Sequence, residues 1–497
     1  MGAAGVDGLS PARRAALATA LATRLPDARW YGDKGRPIAA VEIDDVAIAA
    51  ADPAIALAIV RVAFLAGDDS WYLLPIAFAA AEPADALLPA ADGAPAIVDA
   101  LTLPRFPAWL LDRIADQTDL AGERGRVRWE AFPDSRDCLA RARTAPAVAM
   151  AAEQSNSAVR YGDALIVKLF RRLRAGVNPD VEIGRFLWRE TDFRHVPEPI
   201  ATAAYLSDAG GQGEIAFGQA FVPNVGDGWT WTLRQIADML AIRDADGRRA
   251  AIERYAATAA TLGRRTAELH RALASRLDDP AFAPEPLTAV RLNAWETELR
   301  RRLDAALSDL VADPALPRAA AEMLPPLLQA RPALAARASG FAGEAGDFAI
   351  RVHGDFHLGQ VLRVGDDWMM LDFEGEPARP LPERRAKTSA LKDVAGMLRS
   401  FAYAQGAALR ADPAADLPRR WALGAWETAS RSAFLAGYRA AIASAPAPIA
   451  PADAAAFRRA CDAWELDKAV YEIAYERRNR PDWLEIPLAA LLRTPTG

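Results

Sequence analysis

Residues 350–377, IRVHGDFHLGQVLRVGDDWMMLDFEGEP, constrain this chain more than any other stretch. Two short β-type runs, 349–352 and 368–371, flank the turn signal Gly365-Asp366-Asp367. The first run leads into His353-Gly354-Asp355 and the second into Asp372-Phe373-Glu374. Two carboxylates are therefore expected to leave neighbouring strand ends at one edge of a small sheet, with the carboxamide Gln360 between them in sequence. Phosphoryl transfer from a nucleotide needs a carboxylate beside the acceptor hydroxyl and oxygen ligands that hold Mg²⁺ against the phosphates. Asp355 suits the first need; Asp372 and Gln360 suit the second.

Two plainer readings compete. A lone Asp at a strand end usually only caps a turn; it is the pair with its intervening amide that points to chemistry. His353 and His357, four apart, would share one face of a helix and so could ligate zinc. Gly354 and Gly359 argue against a helix here. Zinc also wants a third protein ligand, and the chain has only four His.

At 497 residues the chain is too long for a single core, so two or three packed units are expected. The formal net charge of −6 and pI near 5.5 leave no electrostatic footprint for nucleic acid. Cys138 and Cys461 lie far apart and outside any CxxC, which fits a reducing compartment and excludes a disulfide scaffold. No run of 18 apolar residues spans a membrane. Arg13 and Arg14 before AALATALATRL imitate a secretory signal, but Arg24 interrupts the run and no cleavage site follows. A cytoplasmic protein with an N-terminal amphipathic helix over 9–25 is expected, with Ser10 as N-cap and Pro11 at the first helical position.

The segments VEIDDVAIAA, IALAIVRVAFLAG and SWYLLPIAFA, between residues 41 and 80, read as strands. The turn before them, with Arg29, Trp30, Lys34 and Arg36, is either a phosphate contact or a solvated turn anchored by its Trp. The first 145 residues hold no catalytic constellation and read as an α+β cap. From 146 to 225 the pattern is strand, turn at Gly162-Asp163, strand, then a helix that starts at Asn178-Pro179. Lys168 sits in the apolar strand IVKLF, and Glu182 lies in the first turn of the helix. That arrangement places a lysine on nucleotide phosphates in kinase-like folds; the alternative is a snorkelling Lys and a dipole-complementing Glu. Ser155-Asn156-Ser157 forms the turn before Lys168, and its backbone N–H groups can stand in for the missing Gly-rich loop. The run after 215 ends in a hinge-like segment at Gln219, Phe221 and Val222, suited to adenine. From Thr232 to about Ala335 the chain is almost all helical by its i, i+3, i+4 apolar spacing, and further helices are read over Leu391–Ala404 and from about Ala455 to Glu476. Asp227 reads as a helix cap and Asp393 as a first-turn carboxylate able to hydrogen-bond the 353–355 loop. On the last long helix, Asp467, Tyr471 and Tyr475 fall near one side, with Lys468, Glu472 and Glu476 beside them. They suit either a sugar, whose hydroxyls want polar partners and whose faces stack on aromatics, or a salt-bridged surface helix.

HGDFHLGQVL, LDFEGEPARPL, KDVAGMLRSFAYA and ELDKAVYEIAYERRNRPDWL resemble bacterial maltokinases, of the aminoglycoside-phosphotransferase or eukaryotic-like kinase superfamily. EQSNSAV, VKLFRR, NPDVEIGRFL, FVPNVGDGW and RWYGDKGR resemble the same enzymes, so the similarity runs over nearly the whole chain. It implies an α+β, bilobal protein-kinase-like fold: an N-terminal cap subdomain (1–145), a β-rich intermediate subdomain (146–225) and a mostly helical C-lobe (226–497). It implies ATP and Mg²⁺ as cofactors and phosphorylation of maltose to maltose 1-phosphate. By motif, Asp355 is the base, Gln360 and Asp372 hold Mg²⁺, and Lys168 paired with Glu182 meets the phosphates beneath the loop at Ser155. His353, Asp467, Lys468, Tyr471 and Glu472 fall on the sugar side. Actinobacterial glucosamine kinases are similar across the same motifs, and many relatives are fused to a trehalose synthase, which makes that enzyme an expected partner. A glucosamine kinase and a non-catalytic nucleotide-binding regulator are the alternatives the sequence leaves.

Overall fold

The computed structural model describes residues 9–49, 54–79, 85–91, 93–150, 156–377 and 379–493. The chain forms two compact units: 1–185 with 197–223, and 186–196 with 224–497.

The first unit is built on two antiparallel sheets. Long β-branched and aromatic runs form strands Ile38–Ala49, Ile55–Phe64 and Ser70–Ala79, which pair in chain order. Ala96–Asp99 and the short Arg172–Leu173 both pair with Ser70–Ala79. The larger sheet has seven strands, in the order Leu120–Ala121, Gly125–Ala131, Pro199–Ser207, Gln212–Ala220, Leu165–Phe170, Asn156–Tyr161, Ala147–Met150. Because Gly125–Ala131 joins this sheet, the core runs across the division expected at residue 145: Leu110 and Trp129 pack with Val159, Leu165 and Ile200. The helix Pro11–Arg24 is capped by Ser10, whose hydroxyl accepts from the Arg13 amide at 3.4 Å. The turn at 32–36 is organised by Asp33, which accepts from Tyr72 (2.5 Å) and pairs with Arg36 (2.9 Å) and Arg172 (3.1 Å). Its arginine is thus spent inside the protein, in line with the structural reading of that turn.

The second unit is helical, with helices Gly228–Ala241, Ala245–Leu273, Ala289–Val311, Arg318–Arg337, Leu391–Ala411, Leu417–Ile442 and Ala454–Asn479. Asp227 caps the first of these, accepting from the Thr230 amide at 2.8 Å. The small hairpin differs from the expectation. Asp367–Met370 pairs with Val361–Val364, not with the run before His353. The two-residue turn at Gly365-Asp366, with Gly365 at φ 54°, fixes that register. The earlier run contributes Phe348–Ala349, which pairs with Glu285–Pro286, and a single bridge from Ile350 to Thr388.

Candidate functional site

In the second unit, the loop that carries Asp355 is clamped by Asp393, in the first turn of helix Leu391–Ala411. Its two carboxylate oxygens accept from the backbone amides of His353 (2.8 Å) and Gly354 (2.9 Å), and one of them also meets His270 Nε2 at 3.1 Å. Burial alone would push this carboxyl up, but the His270 and backbone contacts outweigh it and hold it below the usual range. Gly354 adopts φ 86°, a left-handed conformation that glycine takes without steric cost.

His353, expected on the sugar side, is turned inward instead. It is 1% exposed, its Nε2 donates to the Leu371 carbonyl at 2.8 Å, and its Nδ1 faces the Asp355 amide at 3.4 Å. The imidazole therefore ties the Asp355 loop to the segment that leads into Asp372. His357 spends its Nδ1 on the Gly359 amide at 3.0 Å, and burial holds it below the ordinary histidine range. Neither imidazole is arranged as a zinc ligand.

Gln360 ends the short turn Leu358–Gln360, and its Nε2 donates to Asp372 Oδ2 at 3.1 Å. Asp372 has φ 65°, one of only two non-glycine residues with positive φ among those described. Such backbone strain persists where the surroundings enforce it, and functional sites are where it gathers. The Gln360 carboxamide oxygen and the Asp372 carboxylate make an all-oxygen donor set, which fits a hard divalent cation.

Asp355 Oδ1 lies 3.1 Å from the ammonium of Lys468, on helix Ala454–Asn479. The same ammonium is 2.9 Å from Glu376 and sits over the Tyr471 ring at 4.8 Å. Burial works against the Lys468 charge, but Asp355 and Glu376 overcome it and raise its pKa well above the ordinary value. Beside this cluster lies a cavity of about 240 Å³, lined by Gly354, Glu376, Arg379, Lys392, Trp464 and Asp467 among others. Trp295 and Trp464 meet edge to face there, with centroids 5.0 Å apart. Asp467 is held by Arg302 at 2.7 Å. Glu472 is a correction: it is buried, and both Arg399 Nε (2.9 Å) and Nη2 (2.7 Å) donate to one of its oxygens, so it faces the helix core and not a sugar.

In the first unit, the Lys168 ammonium pairs with Asp180 at 2.7 Å. Asp180 is fully buried at the second position of helix Pro179–Glu190, and its amide donates to Asn178 Oδ1 at 2.9 Å. Sequence reasoning passed over Asp180 because it favoured Glu182 in the same turn. Ser157 is 3% exposed and accepts from Arg171 Nε at 2.9 Å, so its hydroxyl serves the fold. Asn156 opens its strand opposite Phe170; Ser155 lies outside the described residues. Gln219 is buried in strand Gln212–Ala220, Phe221 donates its amide to the Ala164 carbonyl at 3.0 Å beneath Arg160, and Val222 follows.

Glu376, Arg379, Lys392, Trp295 and Trp464 were not singled out from sequence. Trp464 had a signal, one helical turn before Lys468 on the same face.

Residues 25–112 match the family model of the maltokinase N-terminal cap domain. A glucosamine kinase of Streptacidiphilus jiangxiensis is 29% identical over 338 residues, 67% of this chain and 70% of that protein. One of Mycolicibacterium smegmatis is 29% identical over 347 residues, 68% of this chain and 77% of that protein. The solved structure of a glucosamine kinase in complex with glucosamine, ADP and inorganic phosphate superposes with a TM-score of 0.65 at 25% identity, covering 96% of this chain and 98% of that one. The chain therefore has a kinase-like fold similar to that of glucosamine kinases, with a segment similar to the maltokinase N-terminal cap over residues 25–112. It is a phosphotransferase with an alcohol group as acceptor. Among the described residues no helix is long and apolar enough to cross a membrane.

Proposed function

We propose that this protein is a Mg²⁺–ATP-dependent sugar kinase of the cytoplasm, with maltose as acceptor and maltose 1-phosphate as product. The observation that carries the reading is the Asp355 carboxylate, clamped through its loop by Asp393 and joined through Lys468 to Glu376, which with Gly354 lines an aromatic-flanked polar cavity. Such a cavity suits a saccharide, which offers hydroxyls to the polar groups and ring faces to the tryptophans.

In this reading Asp355 accepts, or orients, the proton of the attacking hydroxyl. Lys468 holds that carboxylate in place. Gln360 and Asp372 would hold the metal, which neutralises charge on the transferring phosphoryl group when bound. Lys168, fixed by Asp180, meets the phosphates, with Glu182 and the segment from Ser155 to Ser157 nearby in sequence; Gln219, Phe221 and Val222 bound the adenine site. Association with a trehalose synthase belongs to the same reading and is tested by co-purification.

Glucosamine is the second acceptor to consider, since the relatives named above are glucosamine kinases. A coupled ADP-release assay with maltose and glucosamine tests both. Asp355→Asn should keep nucleotide binding and lose turnover by orders of magnitude; near-normal turnover in that variant would overturn the assignment.

A further inference from the structure

The charge that the acceptor carries can be read from the cavity beside Asp355, granted the sugar-kinase reading above. Four carboxylates line it, and each already faces a cation. Glu376 is held by Lys468 at 2.9 Å and by Arg379. Asp467 is held by Arg302 at 2.7 Å. Arg379 also reaches Glu383 at 3.4 Å, and Arg301 holds Glu298 at 2.6 Å. The cations that line the cavity outnumber these carboxylates six to four.

Lys392 feels the charges of Glu376 and Asp467 but bonds neither. It lines the cavity from helix Leu391–Ala411 and is only partly exposed, yet its ammonium makes no hydrogen bond or ion pair with any described residue. The rest of that helix from Leu391 to Ala402 is buried, and the adjacent carboxylate, Asp393, is spent on His270 and the amides of His353 and Gly354, so the ammonium has the cavity as its outlet. Desolvating an ammonium without partners is costly, and a ligand that supplies acceptors relieves that cost. An ammonium offers three donors and accepts nothing, so the group that completes it is an oxygen. A second ammonium brought into the same cavity meets no uncommitted carboxylate and is repelled.

We propose that Lys392 is a specificity-determining residue which donates to an oxygen of a saccharide bearing no amino group, and that the cavity rejects amino sugars.

The test is titration calorimetry of the full chain with maltose, glucuronate and glucosamine, without nucleotide, for the wild type and for Lys392→Met, Lys392→Glu and Lys392→Arg. The expected result is that maltose or glucuronate binds more tightly than glucosamine. Lys392→Met should weaken that binding by about 10-fold or more, the scale of a hydrogen bond to a charged group. Lys392→Arg should restore most of it, and Lys392→Glu should shift preference toward glucosamine. Glucuronate separates a carboxylate acceptor from a hydroxyl acceptor. Thermal melts check that each variant folds. Tightest binding of glucosamine by the wild type, unchanged dissociation constants in Lys392→Met, or no binding of any of the three sugars would each overturn the proposal. Absence of ADP release with every sugar, alongside the expected binding order, would defeat the kinase reading and leave the assignment of Lys392 intact.

Discussion

The Lys468 ammonium stands between two carboxylates, 3.1 Å from Asp355 and 2.9 Å from Glu376. Glu376 is almost fully buried, so this cation does more than fix the position of Asp355. Burial would raise the Glu376 pKa, but Lys468, Lys392 and Arg379 together pull it below the ordinary 4.5. Lys468→Met removes one partner of a buried pair, and such changes cost about 3–5 kcal/mol because a desolvated charge is left behind. Urea denaturation at pH 7 should register that loss. The sign with pH follows from the depressed folded value. Stability from Glu376 is present above the unfolded pKa of 4.5 and is lost as pH falls below it, because the unfolded chain then binds a proton that the folded one refuses. The variant should lose less stability between pH 5 and pH 3 than the wild type does.

Asp372 invites a pair of substitutions that separate its backbone role from its side-chain role. Its φ of 65° costs an ordinary L-residue about 1–2 kcal/mol, and Asn tolerates the region better than most. Asp372→Asn should therefore keep the thermal midpoint close to wild type while losing Mg²⁺-dependent turnover by orders of magnitude. Asp372→Ala should lose both. Equal melting of the two variants would mean that the strained backbone carries no cost here.

Gly263 lets helix Ala245–Leu273 pack directly against the backbone of helix Leu417–Ile442. A Cβ at Gly263 would overlap the backbone carbonyl of Phe434, and one at Gly437 would overlap that of Ala260. Backbone cannot rotate away as a side-chain tip can. Gly263→Ala should cost about 3 kcal/mol, the upper end of ordinary overpacking, and lower the thermal midpoint accordingly. It should leave the KM for sugar unchanged in whatever fraction remains folded.

Local chemistry wrote the strands between 38 and 79 and the caps at Ser10, Asn178 and Asp227 into the sequence, because apolar alternation and capping oxygens act within a few residues. The partner of the strand at 367–370 was misread because Val361–Val364 and the run before His353 have the same β character; only the turn geometry chooses between them. His353 and Glu472 were read as facing a ligand, yet the Leu371 carbonyl and Arg399, distant in sequence, claim them. Asp180 and Glu182 share a helix turn, and spacing alone cannot rank them as partners of Lys168. Lys392 was invisible for a similar reason: a lysine at a helix start is ordinary until the first half of its helix proves buried.

Glu344 and Asp347 give the fold a pH dependence of opposite sign to that of Glu376. Glu344 is fully buried, accepting from Ser389 Oγ and, at 2.7 Å, from Trp464 Nε1. Burial, with a smaller push from Asp347, raises its pKa from 4.5 to about 7; burial likewise raises Asp347 from 3.8 to about 7. Both folded values exceed the unfolded ones, so between pH 4.5 and 7 the folded chain holds protons that the unfolded chain has released. Stability from these groups is present at low pH and is lost as pH rises through about 7. Glu344→Gln keeps an acceptor for the Trp464 N–H and a partner for Ser389, and carries no proton to lose. The variant should melt higher than wild type at pH 8 and close to it at pH 5.5. The slope that remains belongs to Asp347 and should vanish in the double variant with Asp347→Asn. A wild type whose midpoint rises steadily from pH 5.5 to pH 8, unchanged by either substitution, would contradict the raised values.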